Sequence, residues 1–160
     1  LPGNHIETLQ EYAMDDILIR MLQLGQKGYN CSQIIMLLGL EVRGETNPQL
    51  VRAVGGLAYG CGSGHGTCGV LTGGCCLLAL YAGKGNDEEV LSDRFDLMLQ
   101  ELNDWFAARI GCDKGDMSCD FIVGEAGPAA SRQRCGALVA DTYTKVMEIL
   151  TANDIDPSGA

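Results

Sequence analysis

Residues 55–76 read GGLAYGCGSGHGTCGVLTGGCC, nine glycines and four cysteines in one short stretch. Glycine lets a backbone take conformations closed to other residues and come close to a ligand. Thiolates bind soft metals and carry redox chemistry. The first half therefore predicts a loop wrapped around something inorganic or redox-active. The second half runs on as GVLTGGCCLLALYAG, nearly all apolar, with no alternation of the kind a half-buried strand shows. It predicts a central, buried helix over about 68–81.

Working outward, the pattern stays helical. Ile6, Leu9, Ala13, Ile17, Met21 and Leu24 recur every three or four residues and predict a first amphipathic helix ending near Gly28. Asn30 with Gln33 three positions on is a variant capping box opening a second helix. Asn47-Pro48 reads as cap and first-turn proline of a third. Asp87-Glu88-Glu89 is expected to open a long fifth helix with Val90, Phe95, Met98, Leu102, Trp105 and Phe106 facing inward, stopped by Gly111. A short piece follows Ser118, and the last helix carries Leu138, Thr142, Val146, Met147 and Leu150. The fold class expected is all-α: a single-domain bundle of about six helices spanning 4–152 with a glycine/cysteine-rich loop, then a polar tail over 153–160.

At 160 residues the chain is long enough for a proper core without disulfide staples, so its eight cysteines call for another explanation. The formal net charge of −10 argues against nucleic acid and against an anionic membrane surface, and suits a basic protein partner. No apolar run approaches the roughly 20 residues of a membrane span, so no membrane insertion is expected. No secretory leader is legible. The expected location is the cytoplasm, the alternative being an exported protein whose signal is missing from this chain. A reducing compartment turns the cysteines towards metal.

The thiols fall at informative places. Cys31 follows the cap Asn30, Cys68 follows Thr67 at the start of the central helix, and Cys119 follows Ser118. Helix N-termini offer unpaired N–H groups and partial positive charge, which favour the thiolate a metal needs. Cys135 precedes or opens the last helix. Cys61 shares the glycine loop with Cys68, and Cys75 lies on the same helix face about 10 Å further on. Cys76 points into the core, and Cys112 lies just past a helix end. Close cysteine pairs of the zinc-finger kind are absent. His65, in the glycine loop, reads as solvated, the alternatives being a ligand or a proton relay.

The segments GYNCSQ (28–33), GTCGVLTGG (66–74), CDFIVG (119–124) and RCGALVAD (134–141) resemble the C-GCAxxG-C-C family of redox-active proteins, with Cys68-Gly69-Val70-Leu71-Thr72-Gly73 as the central motif and Val70 where the family has Ala. The resemblance spans roughly residues 26–150. Carried over position by position, it implies Cys31, Cys68, Cys119 and Cys135 as metal ligands, with Cys119 rather than Cys112 as the third. A similar domain is linked to an iron–sulfur centre in split-Soret cytochromes, whose haem motif this chain lacks. It departs from the family pattern by adding Cys61, Cys75, Cys76 and Cys112.

The expected function is an iron–sulfur redox protein that passes electrons to or from an oxidoreductase partner with a basic docking surface, rather than a stand-alone enzyme. Four thiolates are the complement of a [2Fe–2S] or [4Fe–4S] cluster. Gly66, Gly69 and Gly73 are the candidate cofactor-binding positions, since glycine backbones expose N–H groups to sulfur. Cys61, Cys75 and Cys112 are secondary ligand candidates for a second or enlarged cluster. A homodimer is permitted but not required. The alternatives are a thiol-based enzyme or sulfur carrier using a reactive cysteine such as those of Cys75-Cys76 or Cys61/Cys68, and a structural zinc domain.

Overall fold

A computed structural model describes the backbone over residues 5–112, 115–125 and 127–159, and the side chains of these except 5–12 and 127–132. Among the described residues the chain is 68% helical, with seven helices and no strand. They are α1 (His5–Gln26), α2 (Cys31–Val42), α3 (Pro48–Val54), α4 (Gly69–Ala82), α5 (Phe95–Arg109), α6 (Cys119–Val123) and α7 (Gly127–Ala152). The expected all-α bundle is what forms.

The predicted caps are in place for stated reasons. The Asn30 side chain accepts from Gln33 N–H while the Gln33 side chain accepts from Asn30 N–H, closing the capping box of α2. Asn47 accepts from Leu50 N–H ahead of Pro48. Gly111 takes φ +68 just past α5, a left-handed position that only glycine adopts without strain. The helix expected to open at Asp87 opens at Phe95 instead. Asn86 accepts from the N–H groups of Glu88 and Glu89, and the Glu89 carboxylate folds back onto the Asn86 amide. That local turn satisfies the backbone without a helix. Val90, expected in the inward stripe, is 90% exposed. Ala13 is likewise exposed, and the side chains of Ile6 and Leu9 lie outside those described.

Helix α4 is the axis of the molecule, packed most extensively on α2 and then on α7 and α5. Its Leu71, Leu77 and Leu78 are fully buried, each worth about 1.5–3 kcal/mol of apolar burial. Small residues set the approach of its neighbours. A Cβ on Gly73 would stand 3.0 Å from Ser32 Cα on α2, and one on Gly74 would stand 3.1 Å from the Thr142 methyl on α7. After α7 the chain returns over α4, where Tyr81 donates to the Pro157 carbonyl at 2.6 Å and Ile155 packs on the core.

Candidate metal centre

Two backbone devices in the loop between α3 and α4 gather the thiols. The first is a left-handed turn. After a 3-10 turn over Gly55–Leu57, the single turn Ala58–Cys61 winds with Tyr59 at φ 55, ψ 42 and Gly60 at φ 58, ψ 50. Cys61 (φ 56) and Gly62 (φ 80) continue the same hand. Left-handed backbone costs roughly 1–2 kcal/mol at each non-glycine residue, so Tyr59 and Cys61 are held there by their surroundings. Gly62 N–H bonds to the Ala58 carbonyl at 3.0 Å and Gly64 N–H to the Tyr59 carbonyl at 2.9 Å. Gly60 crosses Gly66 so closely that a Cβ on Gly66 would stand 2.6 Å from the Gly60 carbonyl oxygen.

The second device is an isolated antiparallel bridge between Thr67 and Ser118. Cys68 N–H donates to the Met117 carbonyl at 2.8 Å, and Cys119 N–H donates to the Gly66 carbonyl at 3.2 Å. The residues just before α4 and α6 are thereby tied side by side, each leading into a cysteine. Ser118 then caps α6, accepting from Phe121 N–H. Neither the bridge nor the left-handed turn has a periodic signature. The paired Thr67-Cys68 and Ser118-Cys119 steps were the only legible hint of the first.

Cys31 opens α2, Cys68 occupies the cap position of α4, and Cys119 opens α6. Cys135, expected at or before the start of the last helix, sits well inside it, because α7 already begins at Gly127. Its thiol is delivered by the side of a helix, not by an N-terminus. Cys68 and Cys119 are buried, while Cys31 and Cys135 are half-buried.

The four thiols feel one another. Burial pushes the Cys68 thiol up to about 12, with Cys31 and Cys119 adding to the rise against the N–H groups of Val70 and Leu71. Burial, then the charges of Cys135, Cys31 and Asp120, raise Cys119. Burial and then Cys31 raise Cys135. Burial also raises Cys31, opposed by N–H groups of Tyr59, Ser32 and Cys31 itself. The helix-start N–H groups thus pull in the expected direction, but desolvation outweighs them. At neutral pH four such thiols lose their protons together when positive charge is supplied among them. Among the described residues, no three His, Cys, Asp or Glu side chains converge on a point that would hold one metal ion.

The motif glycine after Cys68 is part of this arrangement. A Cβ on Gly69 would stand 2.8 Å from Leu57 O, 3.0 Å from Ala58 Cα and 3.0 Å from Cys31 Sγ. Gly66 carries the bridge carbonyl, and Gly73 faces α2 as a packing contact.

The remaining cysteines are placed differently. Cys61 is exposed on the left-handed turn. Cys75 is half-buried and faces Asn103 of α5, whose Nδ2 lies 3.9 Å from its sulfur. Burial raises both Cys75 and its half-buried neighbour Cys76. Cys112 is half-buried beyond α5, its N–H bonded to the Ala107 carbonyl. His65 is exposed, as expected, and its Nδ1 lies 2.9 Å from the carboxylate of Asp120, the residue after Cys119. Asp120 N–H in turn donates to the Gly64 carbonyl.

No helix among the described residues is long and apolar enough to cross a membrane. No curated protein and no solved structure matches the chain. A family model does match, over residues 29–149, which contain all eight cysteines and both gathering devices. The chain belongs to the family described as putative redox-active protein (C_GCAxxG_C_C).

Proposed function

We propose that the protein is an iron–sulfur redox protein whose cluster is held by Cys31, Cys68, Cys119 and Cys135 and which exchanges electrons with an oxidoreductase partner. The observation that carries this is the approach of four thiols from four helices, two buried and two half-buried, close enough that charge on one is felt by others. A donor set of thiols alone suits iron–sulfur clusters and zinc. The family's description as redox-active favours iron–sulfur over zinc, which has no redox chemistry of its own. When bound, the cluster would supply one-electron chemistry at a potential set by charge, hydrogen bonds to sulfur and solvent access.

The chain's own residues would do the following. The N–H groups of Tyr59 and Ser32 stabilise negative charge on the Cys31 sulfur, and those of Val70 and Leu71 do so at Cys68. Gly69 lets the Leu57–Ala58 backbone reach Cys31. Burial of Cys68 and Cys119 keeps water from half of the site. The net charge of −10 suits a basic docking surface on the partner. The contact of Cys75 with Asn103 supports leaving it out of the ligand set, and a fifth ligand, if there is one, is Cys61 on the same loop.

Iron and acid-labile sulfide analysis of anaerobically purified protein tests the proposal. The expected protein is brown, with a broad visible band that bleaches on reduction. Serine at any of the four cysteines lowers iron content, and Cys76→Ser retains it. A colourless protein with stoichiometric zinc, or equal iron in all five variants, overturns the proposal.

A further inference from the structure

Beside the thiol cluster, α1, the start of α2 and α7 enclose a groove of about 740 Å³, a volume typical of small-molecule sites. Three features define it. The wall is apolar, with Met21, Leu22, Ile34 and Val139 among its residues, and Leu22 is left 67% exposed. None of the described lining residues is charged, in a chain with 21 acidic and 11 basic side chains. The thiols of Cys31 and Cys135 form part of the wall.

Two glycines keep the groove open. Gly25 on α1 and Gly136 on α7 both line it, and a Cβ on either would meet nothing within 4 Å. Gly136 lies inside α7, where glycine costs about 1 kcal/mol relative to alanine, and Gly25 is the last residue but one of α1. Packing against a neighbour does not account for that cost, as it does at Gly73 and Gly74. Space does. The polar groups at the wall, Gln26, Tyr29 and Gln133, are neutral and carry hydrogen-bond donors suited to carbonyl oxygens.

We propose that this groove binds an uncharged cyclic dicarbonyl of the quinone class, seated against Cys31 and Cys135. An anionic occupant such as a nucleotide would find no cation among the described wall residues, whereas a neutral ring would bury apolar area there at no desolvation cost in charge. The two wall thiols and the redox-active family supply the reason for an electron-accepting ring over an inert one. The inference concerns binding alone. The choice of a quinone rests on the redox-active reading, while binding is measured without reference to iron, so failure of one is distinguishable from failure of the other.

The probe is duroquinone, whose fully methylated ring leaves no open carbon for thiol addition, measured by anaerobic equilibrium dialysis against the purified full chain. One site per chain is expected. Binding should weaken at least about tenfold, roughly 1.4 kcal/mol, in Gly136→Leu and in Gly25→Leu, with thermal stability unchanged or raised in at least one of them. Durene, the same carbon skeleton without the carbonyl oxygens, and a sulfonated anthraquinone should both bind at least about tenfold more weakly. Undetectable duroquinone binding overturns the proposal, as does equal binding by durene or by the sulfonate. So does full-affinity binding in both leucine variants. A dimer by sedimentation that Gly136→Leu converts to monomer would assign the groove to a second copy of the chain instead.

Discussion

Gly69→Ala should destabilise the protein, although alanine is the better helix former. The new methyl would stand 2.8 Å from Leu57 O and 3.0 Å from both Ala58 Cα and Cys31 Sγ. Ordinary carbon contacts lie at about 3.5–4.0 Å. Two of these neighbours are backbone atoms, and they enter the left-handed turn whose hydrogen bonds pin Ala58 and Tyr59. They cannot swing aside as a side-chain end would. Overpacking of this kind costs about 1–3 kcal/mol. The gain in helix propensity is at most about 1 kcal/mol and smaller in the first turn, so the net loss should be about 1–2 kcal/mol. For a chain of this size that lowers Tm by about 2–8 °C. Gly136→Ala is the matched control. Its methyl meets nothing within 4 Å, so it should stabilise by about 0.5–1 kcal/mol. Denaturant midpoints of the two reduced, metal-free variants provide the assay. If Gly69→Ala is as stable as the parent, the loop does not press on Gly69 and the geometry drawn around Cys31 is wrong.

Stability of the reduced, metal-free protein should fall as pH rises through the range between about 9 and 12. The Cys68 thiol is raised by burial from an ordinary 9.0 to about 12, so the folded state holds its proton after the unfolded chain has released it. The stabilisation is complete below the unfolded pKa and fades towards the folded one, at about 1.4 kcal/mol per pH unit for one proton. Cys31, Cys119 and Cys135 act in the same direction; urea midpoints measure the slope, and Cys68→Ala should flatten it. Tyr59→Gly should raise stability by about 1 kcal/mol through relief of its left-handed backbone, less the packing its side chain provides. Because the N–H that reaches Cys31 is retained, the rate at which iodoacetamide modifies Cys31 should stay within about twofold, and a large rise would show that the tyrosine ring itself shields the thiol.

The helices of this protein were determined by short-range physics and were legible in its residues. Asn30 with Gln33, Asn47 with Pro48, and Gly111 each act through hydrogen bonds or φ values within a few residues, and the apolar run of α4 could be buried only at the centre. The sequence misled where two local solutions compete. Asp87-Glu88-Glu89 suits a helix start, but the Asn86 carboxamide captures the same N–H groups in a turn. Identity of the four cysteines was open to reading from family spacing and from the caps before Cys31 and Cys119. Their assembly was not. It depends on a two-residue bridge between Thr67 and Ser118, a left-handed turn at Tyr59–Cys61 and the flank of α7 at Cys135, contacts between residues far apart in the chain. Such contacts have no period to detect. Their electrostatic outcome also belongs to the tertiary structure, because helix ends favour thiolate locally while burial, which only the packed molecule sets, drives all four thiols the other way.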